Sequence, residues 1–359
     1  MNYWITKLSS INPIDEKNEP LFIVNRMVAE AARTIGFKEI NYVPFVNLQN
    51  NRSRRTNLIE SMIAPVEDGD IVVIQLPLWI QFNFQNELVD RLKQKKDIKL
   101  IGFINEVITY NDNKPYNPES DFFLSQMVKF DLLITLNEQM SEMLRRDNVT
   151  KPMIPMIIND FLSQKRIYEM KLSKHLIYIA EHPILNFEND IVGLKTPLTI
   201  YGQTLPNSSI SSSVTFRSID TLEELPYRLK GGFGLVDIPE MYDSIKEKPN
   251  LSRKYANPMS MSIFLASGIP LVVLEDSPYA AWVLKNKIGI VVPNLSSIAT
   301  IIEKMTEADY QIMLESVIRI QGAVASGLFT KRALLNAIRT LELGYEDNVY
   351  KESEKQNND

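Results

Sequence analysis

The sequence predicts an α/β protein made of two doubly wound parallel sheets that face each other across a cleft. Three observations carry that expectation. A length of 359 residues, at roughly 100–200 residues per domain, favours two domains over one core. Short β-branched and aromatic runs alternate with helix-period segments along nearly the whole chain, the pattern of strand–helix–strand units around parallel sheets. Finally, Ile71-Val72-Val73-Ile74, delivered by the turn Asp68-Gly69-Asp70, is continuously apolar, as a strand covered on both faces must be.

In chain order, the first strand series is expected at residues 3–6, 40–45, 71–75, 99–103, 132–135 and 153–158. Apolar residues at helical spacing place helices between them at 22–35, 58–64, 84–95, 122–128 and 139–146. Over 163–173 the chain turns polar and helix-forming, which marks the boundary between domains. A second strand series then runs through 176–180, 198–201, 214–216, 233–236, 271–274 and 288–292, with helices at 222–229, 259–266, 279–285 and 298–305. Two long helical segments follow, 310–324 and 330–343. The expected units are therefore 1–160, 161–325, a closing helix at 326–344 and a polar tail at 345–359, which its composition predicts to be disordered.

With 45% hydrophobic and 23% charged residues the composition is that of an ordinary globular protein. A formal charge of -5 offers no basic field for nucleic acid or an anionic membrane surface, so neither is expected as a partner. The absence of cysteine excludes disulfides, a thiolate nucleophile and a cysteine zinc site, and a cytoplasmic location is the expectation. The opening residues lack the basic and apolar regions of a signal peptide, and the apolar stretch 71–80 is too short for a membrane span and contains Gln75 and Pro77. Only two histidines occur, His175 and His182, so a histidine metal centre is not expected and a Ser-His-Asp triad would have to use one of these two.

The most informative segment is 254–273. Asn257 is a good N-cap and Pro258 suits the first helical position, where its missing N–H costs nothing. The first-turn N–H groups of that helix, with Ser260, Met261 and Ser262 around them, form a positive-dipole site suited to a diphosphate. A plain capped helix is the alternative. Gly268 ends the helix, and Ile269-Pro270 leads into a buried strand. Lys230-Gly231-Gly232-Phe233-Gly234 is a glycine-rich turn that serves either tight geometry or close approach to a ligand. Glu275 follows a strand and stands where a carboxylate accepts hydrogen bonds from sugar or ribose hydroxyls, or simply caps the next helix. Tyr201, beside Gly202 at the end of another strand, is either a stacking platform for a base or a core residue. Asn105-Glu106 places a carboxylate at the edge of the first domain, and Glu106 is the candidate general base for an acceptor hydroxyl, with a solvated loop residue as the alternative. The run Arg52-Ser53-Arg54-Arg55 reads first as a solvated helix start and second as a grip on an acidic partner.

Six segments run in order along nearly the whole chain: Tyr3-Trp4-Ile5-Thr6, Gly36-Phe37-Lys38-Glu39-Ile40, Gly69-Asp70-Ile71-Val72-Val73-Ile74-Gln75-Leu76-Pro77-Leu78-Trp79, Gly231-Gly232-Phe233-Gly234-Leu235-Val236, Phe264-Leu265-Ala266-Ser267-Gly268-Ile269-Pro270 and Gly327-Leu328-Phe329-Thr330-Lys331-Arg332. Through them the chain resembles a family of bacterial GT-B glycosyltransferases, the glucosyltransferases that add the second sugar to O-linked N-acetylglucosamine on serine-rich repeat adhesins; β-1,6-galactofuranosyltransferases are more distant relatives. The resemblance implies two Rossmann-like domains, a UDP-sugar donor held mainly by the second, a GlcNAc-modified serine-rich protein as acceptor and no metal or other cofactor. A homo-oligomer is the expected assembly. Tyr201, Gly234 and Glu275 occupy matching positions for contact with the nucleotide or donor sugar.

Three polar positions depart from the family pattern. Ser260 replaces a lysine just inside the donor helix, Glu181-His182 stands where an arginine is common, and Asn105-Glu106 replaces a His-Asp pair. Because a departing diphosphate gathers negative charge, either Arg253 and Lys254 supply the missing cations, or the chain is a catalytically weak relative acting as a binding or assembly partner. Sugar transfer in polysaccharide synthesis is a third reading.

Overall fold

The computed structural model describes residues 1–12, 19–44, 51–78, 82–106, 118–164, 170–180, 195–202, 213–236 and 254–344. Within these residues the chain forms two six-stranded parallel sheets. The first contains β1 (Tyr3–Leu8), β2 (Lys38–Tyr42), β3 (Ile71–Leu76), β4 (Lys99–Ile104), β5 (Leu132–Thr135) and β6 (Met153–Pro155), in the order β2-β1-β3-β4-β5-β6. All six residues of β3 are buried, which is why its sequence is apolar without alternation except at Gln75. Trp4 of β1 stands opposite Lys38 on one side and Val72 on the other.

Helices cover both faces of this sheet: α1 (Pro20–Arg33) on one, and α2 (Arg52–Ile63), α3 (Phe82–Leu92), α4 (Pro118–Met127) and α5 (Glu138–Arg146) on the other. Asn51 caps α2, its Oδ1 accepting from Arg54 N at 3.0 Å, so this helix begins six residues before the expected position 58. Strand β6 stops at Pro155, short of the expected residue 158, and its last bond to β5 is Met156 N donating to the Thr135 carbonyl at 2.8 Å.

The second sheet contains β7 (Leu176–Ile179), β8 (Leu198–Gly202), β9 (Val214–Ser218), β10 (Phe233–Leu235), β11 (Leu271–Leu274) and β12 (Gly289–Val292), in the order β12-β11-β10-β7-β8-β9. Counted from its own first strand this is the dinucleotide-fold order 3-2-1-4-5-6, with its reversal point between β7 and β10. The expected helix 222–229 is instead a 3-10 turn, Leu222–Glu224, followed by the short α6 (Leu225–Arg228). Pro226 explains the break, since it is tolerated only in the first turn of a helix. Then come α7 (Met259–Ser267), α8 (Ala280–Asn286), α9 (Ile298–Lys304), α10 (Glu307–Ser326) and α11 (Leu328–Leu343).

Gly327, at φ +78°, breaks the chain between α10 and α11 and turns it back to the first domain. There Ala333, Leu334 and Ala337 of α11 join Ile5, Val73 and Ile134 in one core. A second shared core sets Ile23 and Met27 of α1 among residues of α6, α7 and α8. The two sheets are thus joined by buried apolar surface, worth roughly 1.5–3 kcal/mol for each fully covered side chain. The expected tail at 345–359 lies outside the described residues.

Candidate active site

In open parallel sheets, ligands bind beyond the carboxyl ends of the strands, at the point where strand order reverses. In the second domain the chain leaves the carboxyl end of β10 and returns as α7, so the amino end of α7 opens at that edge. Every residue of α7 is buried, as befits a helix that is apolar all round.

The cap of α7 differs from expectation. Pro258, extended at φ -57° and ψ 127°, is the N-cap, and no side chain caps the helix. Asn257 is used elsewhere: its Nδ2 donates to the Leu136 carbonyl at 2.8 Å, and its Oδ1 lies 2.5 Å from the Tyr279 hydroxyl. It is a bridge between domains rather than a cap. Ser262 is fully buried and gives its hydroxyl proton to the Asn159 carbonyl at 2.7 Å, so that proton is not directed at a ligand as expected. Ser260 is 5% and Met261 0% exposed, both packed under the helix start. What the arrangement retains is the first-turn N–H groups, whose partial positive charge suits an anion.

Gly234 lies inside β10, where a Cβ would stand 2.4 Å from the Phe264 ring. Its missing side chain is therefore taken up by close packing of α7 on the sheet, not by approach to a ligand. Tyr201 is 9% exposed and belongs to the core shared by the domains, which matches the core alternative more than a stacking platform. Glu275 is exposed immediately after β11, its N–H donating to the Val292 carbonyl at 2.9 Å. Lys254 is exposed, while its carbonyl accepts from Asn137 Nδ2 at 3.0 Å. Arg253 and the pair Glu181-His182 lie outside the described residues.

Glu106 is exposed just beyond β4. Its neighbour Asn105 is held in place: the Asn105 N–H donates to the Leu76 carbonyl at 2.7 Å and Nδ2 donates to Gln75 Oε1 at 2.9 Å. Gln75 anchors a buried polar knot at the reversal point of the first sheet. Its Nε2 donates to the Thr6 and Asn25 carbonyls at 2.7 and 2.9 Å, and Asn25 Oδ1 accepts from Leu8 N at 2.6 Å. The sequence alone does not single out Asn25, and it gives Gln75 no role in the site. The available signal was an amide inside an otherwise apolar strand, since a buried polar group without partners costs several kcal/mol in an apolar medium.

His175 sits before β7, under Gly232, and its Nδ1 is 2.7 Å from Ser173 Oγ. Burial, and then the charge of Arg217, hold the imidazole below its ordinary pKa. It lies at the amino edge of the sheet, away from the strand ends where ligands bind. Among the described residues no group of three or more His, Asp and Glu is placed to hold a metal ion. No single helix among them is long and apolar enough to cross a membrane.

Comparison with known proteins agrees with this architecture. The descriptions "Glucosyltransferase 3-like, N-terminal domain" and "Glucosyltransferase 3-like, C-terminal domain" match residues 2–158 and 176–337. The chain is 26% identical over 337 residues to glucosyltransferase 3 of Streptococcus gordonii, covering 88% of this chain and 93% of the relative. Its fold is similar to sucrose-phosphate synthase from Thermosynechococcus elongatus, with TM-score 0.62, 11% identity and coverage of 96% and 100% of the two chains. It is also similar to an E. coli trehalose-6-phosphate structure bound with UDP-2-fluoro glucose, with TM-score 0.55, 10% identity and coverage of 92% and 97%. With both domain descriptions matched in order, the chain belongs to the glucosyltransferase 3-like family and is a glycosyltransferase of GT-B fold.

Proposed function

We propose that this glycosyltransferase moves glucose from UDP-glucose to O-linked GlcNAc on a serine-rich acceptor protein, with the donor on the second domain and the acceptor on the first. The observation that carries this reading is the amino end of α7, free of any side-chain cap and lying at the carboxyl edge of the second sheet, with the exposed Glu275 on the neighbouring strand end. The names of the streptococcal relatives and the nucleotide sugar in the E. coli neighbour support the choice of donor. In this reading the helix N–H groups hold the diphosphate, Glu275 accepts hydroxyl hydrogen bonds, Lys254 and Arg253 supply positive charge, and Glu106 takes the proton from the acceptor hydroxyl. The reaction uses no resident metal, so EDTA leaves turnover unchanged. Assembly as a homo-oligomer belongs to the same proposal and is read by light scattering.

Calorimetry with UDP, GDP, CDP and TDP tests the donor site. UDP binds and raises the melting temperature, because a ligand specific for the folded state stabilises it by mass action. A melting curve that millimolar nucleotide leaves unmoved rejects the site. Glu275→Gln, which keeps size but removes charge, weakens UDP-glucose binding by about tenfold, the loss expected for one charge-assisted hydrogen bond. Equal affinity in variant and parent reduces Glu275 to a solvated residue.

A further inference from the structure

The segment 254–257 belongs in sequence to the second domain, yet it is fastened to the first. Tyr255 is 4% exposed and packs within the core under α2–α5 of the first domain. Asn137 is only 5% exposed and uses both ends of its amide. Its Oδ1 caps α5 by accepting from Met140 N at 2.9 Å, while Nδ2 donates to the carbonyls of Lys254 at 3.0 Å and Ala256 at 3.4 Å. From the other side, the Tyr279 hydroxyl lies between the Ala256 carbonyl and Asn257 Oδ1 and has one proton to give to either. Asn159 Nδ2 completes the arrangement by donating to the Asn257 carbonyl at 3.2 Å. The residue after this segment is Pro258, the N-cap of α7.

We propose that Asn137 and Tyr279 are positioning residues for sugar transfer, fixing the amino end of α7 against the carboxyl edge of the first sheet. This rests on the reading that the amino end of α7 holds the donor diphosphate. Donor and acceptor then approach from opposite domains, so the gap between anomeric carbon and acceptor hydroxyl is set by the seam at 254–257. A misplacement of 1 Å at such a gap costs up to about a hundredfold in rate. Asn137 acts through the Lys254 and Ala256 carbonyls, and Tyr279 through Ala256 and Asn257.

Asn137→Asp separates the two uses of the side chain. Aspartate caps a helix as well as asparagine, so α5 is kept, but an acceptor now faces the two carbonyls in place of a donor. The measurements are kcat with UDP-glucose and a GlcNAc-bearing peptide, UDP affinity by calorimetry, and the melting temperature. The expected result is a kcat lower by about tenfold or more, with UDP affinity kept within about twofold because the nucleotide is held by the second domain alone. Tyr279→Phe shifts the same quantities in the same direction. Should Asn137→Asp fail to fold, Asn137→Ser decides, since serine caps α5 but is too short to reach across the seam. Unchanged kcat in a folded variant overturns the proposal, as does a parallel loss of kcat and UDP affinity, which would mean that α7 itself is distorted. A parent that binds no UDP overturns the donor reading first and this proposal with it.

Discussion

Asp160 meets two opposed demands. It is 7% exposed, and its carboxylate accepts from the N–H groups of Phe329 at 3.3 Å and Thr330 at 2.7 Å, at the start of α11. Gly327, the N-cap of that helix, has no side chain to do this. The carboxylate thus closes α11 from a position 170 residues away in sequence. Burial nonetheless pushes its pKa from 3.8 up to about 6, outweighing the backbone hydrogen bonds. Between these values the folded protein binds more protons than the unfolded chain, so this group's contribution to stability falls as pH rises from about 4 to about 6 and is level above. The amplitude is on the order of 3 kcal/mol. Asp160→Asn is expected to flatten that slope in urea unfolding measured at pH 4, 5, 6 and 7. A variant with the parental slope assigns the pH dependence to other groups.

At the scale of elements, the helices differ in what holds their ends. Helix α10 carries its own signal: Thr306 Oγ1 accepts from Asp309 N at 3.2 Å, and Asp309 Oδ2 accepts from Thr306 N at 3.1 Å, a reciprocal capping box. Thr306→Ala therefore lowers stability by about 1 kcal/mol. Urea unfolding checks this, and a loss below a few tenths would show that packing of Tyr310 and Leu314 fixes the helix start without the cap. Helix α7 is the opposite case. It has no side-chain cap, and Gln321 of α10 satisfies its far end by donating to the Ala266 carbonyl at 2.9 Å. An element so placed draws its stability from burial and leaves its amino end chemically open.

For the whole molecule, the two sheets are not independent units. Helix α11 returns to the first domain, α1 shares a core with the second, and Tyr255 enters the core of the first. Arg26 of α1 also pairs with Glu223 across the same junction. Unfolding either sheet alone would expose the shared apolar surface, so a single cooperative transition is expected. Of the three tryptophans, Trp4 and Trp79 belong to the first half and Trp282 lies on α8, so each half can be silenced in turn only if Trp4 and Trp79 are replaced together. Fluorescence of the double variant Trp4→Phe/Trp79→Phe and of Trp282→Phe should give one urea midpoint in both. Midpoints that differ beyond the effect of the substitutions themselves would show that the halves unfold separately.

The amino-acid chain alone makes the order and type of most elements legible, because strand and helix periodicity is a local property of about ten residues. The all-buried β3, the glycine exit of α7 and the existence of a terminal helix are readable on those grounds, whereas the return of that helix to the first domain is not. The chain alone also places Glu275 and Glu106 at strand ends, since a residue following a parallel strand has little choice of edge. The tertiary structure alone decided what the polar side chains do. Asn257 has every local mark of a cap, yet it bonds Leu136, 121 residues away. Gly234 resembles a ligand-approach glycine, yet Phe264 fills its space. Gln75 lies in an apolar strand because Thr6 and Asn25 carbonyls await it. Local propensity selects among backbone conformations that differ by about 1 kcal/mol or less per residue. A buried donor or acceptor left unpaired costs about 1–3 kcal/mol, so long-range partners, invisible in sequence, outrank the local signal wherever the two compete.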